Sequence, residues 1–378
     1  MRRRAARGAA RSGRGGLGAG RERHDVSDRP TAIVEHPGYT IVENASLRGR
    51  NTLQVAARAE LLIDVRRPEA LAELFALPAL GHLPLLVLGA GSNILFAGDW
   101  PGIVLSMATR GIAILEDRGD GALIRAEAGE AWNDVVSWSL AKGLAGLENL
   151  VLIPGLAGAS PIQNIGAYGT EIGEFVETVE AYDRHAGRIL RLDRAQCAFG
   201  YRDSAFKRAP DRYVITAIEL ALPRERPLRT GYAGIAEELA ALGVDTPTPA
   251  RLAEAIARIR TRKLPNPALV GNAGSFFKNP VVTMAAAEAL RREHPDLPAW
   301  PTGDGAVKLA AAWLIERCGF KGLREGDAGV SAEHALVLVN HGRASGAELL
   351  ALARRIVETV AQRFGVVLEP EPRIVGAS

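Results

Sequence analysis

Ser275 stands between Gly274 and the pair Phe276–Phe277 in the run GNAGSFFKNP (271–280), with Lys278 and Asn279 directly behind it. A hydroxyl beside a glycine and next to water-excluding rings can pass a proton, and the amine and amide can meet a phosphate. The alternative is a β-turn over a buried aromatic pair. In FGYRDSAFK (199–207), Arg202 is a permanent cation able to hold or polarise a carboxylate. The alternative there is an ion pair with its neighbour Asp203. In LEPEPR (368–373), alternation along an extended chain predicts Glu369 and Glu371 on one side, near Arg373. The alternative is a solvated strand face.

Two glycine-rich runs are suited to binding rather than reaction. LGAGSN (88–93) follows the apolar run LPLLVLG, so Gly89, Ala90, Gly91, Ser92 and Asn93 form a turn whose N–H groups can crowd around a phosphate. It is not the dinucleotide fingerprint: the place of a third glycine holds Ile94, and ILFAGDW has no helical pattern. A plain tight turn is the alternative. IPGLAGASPIQNIGAYG (153–169) has four glycines and the uncharged partners Ser160, Gln163 and Asn164, with no acid or base. A long irregular loop of that kind suits a neutral ring rich in donors and acceptors, such as a flavin. A structural Ω-loop is the alternative. The seven histidines show no metal-ligand spacing, so no metal site is expected, and nucleophile-elbow and P-loop signatures are absent.

The elements that must hold these residues read as follows. AELLIDV (59–65), PEALAELFAL (68–77) and LPLLVLG (83–89) predict strand, helix and strand. IAILED and ALIRAEAG flank a GDG turn, and EAWNDVVSWSLAKG predicts a helix burying Trp132, Val135, Val136 and Ser139, with Gly143 as its stop. VETVEAYDR, GRILRLD and RYVITAIELAL predict further strands, giving the middle of the chain a mostly antiparallel sheet. TPARLAEAIARIRTRK predicts a helix halted by LPNP. SGAELLALARRIVETVAQRFG predicts another, with the capping box Ser345/Glu348 and the stop Gly365. VVLEPEPRIVG predicts an extended return strand, kept out of a sheet centre by Pro370 and Pro372.

Length predicts two to three domains. With 47% apolar and 24% charged residues, ordinary cores are expected, and no apolar run is long enough for a membrane span or a secretory signal. Two cysteines cannot build a disulfide framework, which fits a reducing, cytoplasmic setting. The net charge of +3 misleads, because residues 1–30 hold nine arginines against Glu22, Asp25 and Asp28, so the rest of the chain is net negative. That start lacks apolar periodicity and predicts a disordered tail over 1–36, an extra segment rather than a nucleic-acid binder.

Taken together, LGAGSN, IPGLAGASPIQNIGAYG, GYRDSAFK, GNAGSFFKNP, VKLAAAWLIERCG and LEPEPR resemble, in order, the motifs of the UDP-N-acetylenolpyruvoylglucosamine reductases, over about residues 46–378. TGYAGIAEEL suggests the type with a tyrosine loop. The resemblance implies an α+β chain: a two-domain FAD-binding fold of the vanillyl-alcohol-oxidase-like type (37–109 with 366–378 returning to it, and 110–264) plus a C-terminal α+β substrate domain (265–365). It implies a cytoplasmic enzyme of peptidoglycan precursor synthesis that uses FAD and NADPH and acts on a nucleotide sugar, expected as a monomer without nucleic-acid or membrane partners. It places Arg202, Ser275 and Glu371 in catalytic positions and Tyr232, Lys263 and Asn279 against the substrate. The flavin contacts it implies are Gly89, Ala90, Gly91, Ser92, Asn93, Ile153, Pro154, Gly155, Ser160, Gln163, Asn164, Gly166 and Ala167. The chain departs from the pattern at Ala159, where relatives often carry a serine before Ser160. An FAD-linked oxidase of the same fold, acting on a sugar lactone or alcohol, is the rival reading.

Overall fold

The computed structural model describes residues 33–232, 234–303 and 305–376. The predicted tail lies outside them except at its end. There Ile33–Glu35 is a strand paired with Tyr39–Ser46, so regular structure is already present before the expected boundary at 36.

The first unit is a five-stranded sheet ordered Ile33–Glu35, Tyr39–Ser46, Arg58–Val65, Trp100–Met107, Leu85–Val87. The first two pairings are antiparallel, and both Arg58–Val65 and Leu85–Val87 run parallel to Trp100–Met107. The predicted strand–helix–strand unit is therefore present, with Ala70–Phe75 as its helix. The helix buries Ala70, Leu71 and Leu74 against Ile63, Val65 and Leu105 of the sheet. Strand Leu85–Val87 is short and central to the chemistry, because it delivers the chain straight into the glycine turn at 89.

The second unit is an antiparallel sheet ordered Arg188–Asp193, Val176–Asp183, Tyr213–Pro223, Gly121–Glu127, Ile112–Asp117. Its inner face is covered by Trp132–Ala141, which buries Trp132, Val135, Val136 and Ser139 as its periodicity predicts, and by Pro249–Lys263. Lys142 follows that first helix, and Gly143 then turns the chain at φ +69°. On the other face Arg125 pairs with Glu127 and Glu180, and Arg191 with Glu219.

The third unit holds two small sheets and the helices Met284–Glu293, Ala311–Arg317 and Gly346–Phe364. The last helix carries the full Ser345/Glu348 capping box and ends at Gly365 in the left-handed region. Its core takes in Leu53, Val55 and Leu95 of the first unit. The C-terminal return is shorter than predicted: only Arg373–Val375 forms a strand, parallel to Ile94–Phe96. Val366 and Leu368 still pack in the core of the third unit. The two prolines remove N–H donors just where a longer ladder would need them.

Candidate active site

A cavity of about 690 Å³ opens between the three units, a volume typical of a site for a large organic ligand. Its walls come from the glycine turn, the loop 153–166, the segment Tyr201–Tyr213, the run Ala273–Asn279 and the return segment Glu369–Arg373.

The turn Gly89–Asn93 forms one wall. Gly91 has φ +64°, and a side chain there would place its Cβ 2.1 Å from the carbonyl oxygen of Arg50. Only glycine fits that position. The Gly91 carbonyl accepts from the Thr52 N–H at 3.0 Å. Among the described residues, the N–H groups of Ala90, Gly91 and Ser92 have no acceptor. Three adjacent unmet donors at the end of a buried strand make an anion-binding concavity. That, with the uncharged 153–166 loop facing it, fits the diphosphate and ring of FAD.

Ser92 Oγ donates to the Pro154 carbonyl at 2.9 Å, and Asn93 Nδ2 donates to Gln163 Oε1 at 2.8 Å. These bonds tie the turn to the loop, so Ile153, Pro154, Gly155, Ser160, Gln163 and Gly166 line the cavity as expected. The Ser160 hydroxyl is spent on the Ala157 carbonyl at 2.6 Å. With Ala159 beside it, this stretch offers a ligand backbone and apolar surface rather than hydroxyls.

Two of the expected flavin contacts do not line the cavity. Asn164 is 3% exposed and does not line the cavity. It sits at φ +47°, donates to Glu171 Oε2 at 2.7 Å and to the Gly200 carbonyl at 3.0 Å, and accepts from the Gly173 N–H at 2.8 Å. It is a brace for the loop. Ala167 pairs with Thr170 in the small hairpin that follows and also lies outside the cavity wall.

At the opposite side three segments converge. Arg202 has φ +52°, a conformation that costs a non-glycine residue about 1–3 kcal/mol and is tolerated where function fixes it. Its Nη2 donates to the Gly166 carbonyl at 2.7 Å, and its Nε lies 3.4 Å from Glu371 Oε1. The neighbour Asp203 pairs instead with Arg208, so the simple Arg202–Asp203 pair does not form. Burial pushes the Glu371 carboxyl above the usual range, against the pull of Arg202, Lys207 and Lys278. Its N–H donates to the Phe276 carbonyl at 2.9 Å, which joins the return segment to the serine run. Ser275 lines the cavity one residue before, and among the described residues its hydroxyl has no hydrogen-bond partner.

The two glutamates of LEPEPR do not share surroundings. Glu369 has a 70% exposed side chain bound to Lys278, whereas the Glu371 side chain is 15% exposed beside Arg202. The chain leaves the extended conformation around Pro370 and Pro372, and strict alternation fails with it. Of the two phenylalanines, Phe277 lines the cavity; Phe276 is core of the third unit. Asn279 lines the cavity and accepts from the Ala311 N–H at 3.0 Å. Tyr232 is exposed and meets Tyr168 edge-on at 5.2 Å, and Lys263 is exposed at its helix end; neither lines the cavity.

Several contributors escaped sequence reading. Lys207 donates to the Arg202 carbonyl at 2.8 Å and holds the strained residue. Its place in GYRDSAFK was the available signal. Asp211 holds both nitrogens of Arg373 at 2.9 and 2.6 Å and accepts from the Val87 N–H, fastening the return segment to the strand before the glycine turn. Glu171 is buried enough that its carboxyl rises above the usual range despite Arg202. Nothing local in the sequence marks Asp211 or Glu171.

A glycine cradle for an anion, a neutral loop for a ring and a half-buried arginine–carboxyl–hydroxyl cluster facing one cavity define a flavin-dependent oxidoreductase. A family model for the FAD-binding domain matches residues 59–193, and one for the C-terminal domain of UDP-N-acetylenolpyruvoylglucosamine reductase matches 266–375. The chain is 55% identical over 343 residues to the UDP-N-acetylenolpyruvoylglucosamine reductase of Xanthomonas euvesicatoria pv. vesicatoria (strain 85-10), covering 90% of this chain and 98% of that one. It is 53% identical over 345 residues to that of Xylella fastidiosa (strain M12), covering 91% and 98%. It is similar to the crystal structure of UDP-N-acetylenolpyruvylglucosamine reductase from Thermus caldophilus, with a TM-score of 0.61 and 26% identity over 91% of this chain and 98% of that one. The chain belongs to the UDP-N-acetylenolpyruvoylglucosamine reductase family.

Proposed function

We propose that the protein reduces the enolpyruvyl ether of UDP-N-acetylglucosamine to UDP-N-acetylmuramate, a peptidoglycan precursor, with FAD as cofactor and NADPH as reductant. The convergence of Arg202, Glu371 and Ser275 on the cavity carries this reading.

FAD held by the glycine turn at 89–93 and the 153–166 loop would, when reduced, supply hydride chemistry at the terminal vinyl carbon. Arg202 is the fixed cation toward which the substrate carboxylate points as negative charge spreads into it. It needs no proton transfer to be charged, and its bond to Gly166 holds it in place. Burial favours the protonated form of Glu371, and in that form it donates a second hydrogen bond to the same oxygens. Ser275 gives its proton to the carbon bearing the carboxylate, and its hydroxyl is restored by a proton from solvent once the product has left. One hydride and one proton are added, and the ether bond stays intact. Phe277 excludes water at that point.

Asn279 contacts the nucleotide sugar inside the cavity. Tyr232, of the tyrosine-loop type, and Lys263 meet its far end beyond the cavity wall. NADPH and substrate use the same face in turn. The reading also places the enzyme in the cytoplasm as a monomer, with domains divided near 109, 264 and 365.

The test is direct. Purified protein should be yellow, bleach with NADPH and regain colour on adding UDP-N-acetylglucosamine enolpyruvate without oxygen. A yellow protein reoxidised by oxygen but indifferent to that substrate would favour the sugar-oxidase reading.

A further inference from the structure

Arg202 is held in a backbone conformation that a side chain disfavours. Gly200 and Asp203 exchange backbone hydrogen bonds at 3.0 and 3.2 Å, so Tyr201 and Arg202 are the two middle residues of a tight turn. Of the four residues only Arg202 has positive φ, in the third place of the turn, where that geometry ordinarily calls for glycine or asparagine. A residue in that region stays there only where its surroundings over-determine it.

Lys207 supplies the additional constraint, because its Nζ donates to the Arg202 carbonyl at 2.8 Å. The lysine is itself anchored. It lies in the single helical turn Ala205–Arg208, capped by Ser204, whose Oγ accepts from the Lys207 N–H at 3.2 Å and donates to the Ile162 carbonyl of the 153–166 loop at 2.5 Å. Phe206 pins the same turn in the core of the second unit. The backbone of Lys207 is thus fixed, and its side chain reaches back to the reacting residue and lines the cavity.

Its charge matters as well. Glu371 is faced by Arg202, Lys207 and the Tyr201 phenol from this segment and by Lys278 from the serine run. Arg202 is answered by Glu371 itself and Lys278 by Glu369, while Asp203 is spent on Arg208. Among the described residues Lys207 has no ion-paired carboxylate, and the Arg202 carbonyl is the one partner of its Nζ. Burial and Lys278 oppose its charge, Glu371, Glu369 and Asp203 favour it, and the balance leaves its pKa below the ordinary lysine value.

We propose that Lys207 is a positioning residue of the reaction: its ammonium keeps Arg202 in the left-handed turn that presents the guanidinium to the cavity, and its unmatched charge opposes protonation of Glu371. This role rests on the reaction proposed above, in which Arg202 and protonated Glu371 meet the substrate carboxylate.

The test compares holoenzyme of wild type, Lys207→Met and Lys207→Arg in stopped flow, following bleaching by NADPH and then anaerobic reoxidation by UDP-N-acetylglucosamine enolpyruvate across pH. Lys207→Met, uncharged and of similar reach, should reoxidise about 10–10²-fold more slowly near neutrality and bleach within about threefold of wild type. With one opposing cation gone, Glu371 keeps its proton to higher pH, so the basic limb of the reoxidation profile should move upward. Lys207→Arg keeps a donor and the charge, and should keep most of the rate and the position of the limb. A lysine that served only the fold would slow both half-reactions alike and leave the limb in place. A crystal structure of Lys207→Met needs no substrate, and in it Arg202 should relax to negative φ. Arg202 still at positive φ, equal slowing of both half-reactions, or an unmoved limb overturns the role of Lys207. If wild type itself is not reoxidised by the substrate, the proposed reaction fails, and the Arg202 backbone in Lys207→Met still decides whether the lysine holds the turn. Should Lys207→Met not fold, Lys207→Gln, uncharged and one bond shorter, replaces it.

Discussion

The glycine turn at 89–93 and the cluster of Arg202, Ser275 and Glu371 face one cavity but are built on opposite principles. The turn works through backbone. Its specificity is steric, set by the contact between Gly91 and the Arg50 carbonyl, and its donors are N–H groups left free at the end of a short strand. The cluster works through side chains from three distant segments, one of them on a strained backbone and one a carboxyl whose burial disfavours its charge. Holding a cofactor needs close approach and partial charges, which any glycine-rich turn supplies locally. Steering a reaction needs whole charges and an acidic proton at fixed points, and these are stable only where tertiary packing removes water around them.

That contrast makes the two regions fail differently. Ser275→Ala is expected to slow reoxidation of the reduced enzyme by the enolpyruvyl substrate by about 10²–10⁴-fold, with bleaching by NADPH unchanged in stopped flow. Equal slowing of both half-reactions would place the serine in flavin positioning instead. Arg202→Lys keeps the charge but loses the planar fork, and about 10²-fold in turnover should go with it. Turnover near that of wild type would remove Arg202 from the mechanism.

The turn should break at binding. Gly91→Ala forces a methyl group against the Arg50 carbonyl at positive φ, and a cost of about 1–3 kcal/mol is expected. The readouts are melting temperature and flavin content. The flavin that remains should react at the normal rate, and a slowed rate per flavin would blur the distinction drawn between the two regions.

The smallest expected effect concerns pH. In the fold Glu371 keeps its proton above the usual range, so the unfolded chain binds fewer protons in that window. The stability contributed by its neutral form is present in acid and is lost as pH rises through the raised pKa. Asp183 behaves in the opposite way. Its bonds to Arg212 lower its pKa to about 2, so its contribution is present near neutrality and is lost as pH falls through that value. Urea midpoints of wild type and Glu371→Gln, whose amide mimics the neutral carboxyl, should therefore agree in acid and diverge with rising pH as wild type loses stability, whereas those of wild type and Asp183→Asn should converge with falling pH. Slopes of the same sign would show that Glu371 is an ordinary ion-paired carboxylate.

Most of the scaffold was legible because it is local. Trp132, Val135, Val136 and Ser139 fall on one buried helix face by spacing alone, and Ser345 with Glu348 caps its helix within four residues. The site was legible where a motif held both the residue and its support, as in GYRDSAFK, where Lys207 grips the Arg202 carbonyl. It was less legible where a polar residue in the right motif turned inward, as Asn164 does to bind Glu171, Gly173 and Gly200. It was misread where two prolines broke an assumed alternation, leaving Glu369 mostly exposed beside Lys278 at the cavity wall and Glu371 half-buried beside Arg202.

What the amino-acid order determined alone was the set of helices and strands, the glycines that let the chain turn at 91 and 365, and the chemical types available to the site. Propensity, capping and steric exclusion act over a few residues, so they are written in the order itself. Tertiary structure decided which of those groups meet. It set Glu371 beside Arg202 and left Ser275 Oγ without a protein partner among the described residues. Each depends on desolvation and on contacts between residues far apart in sequence, and no short stretch of chain encodes them.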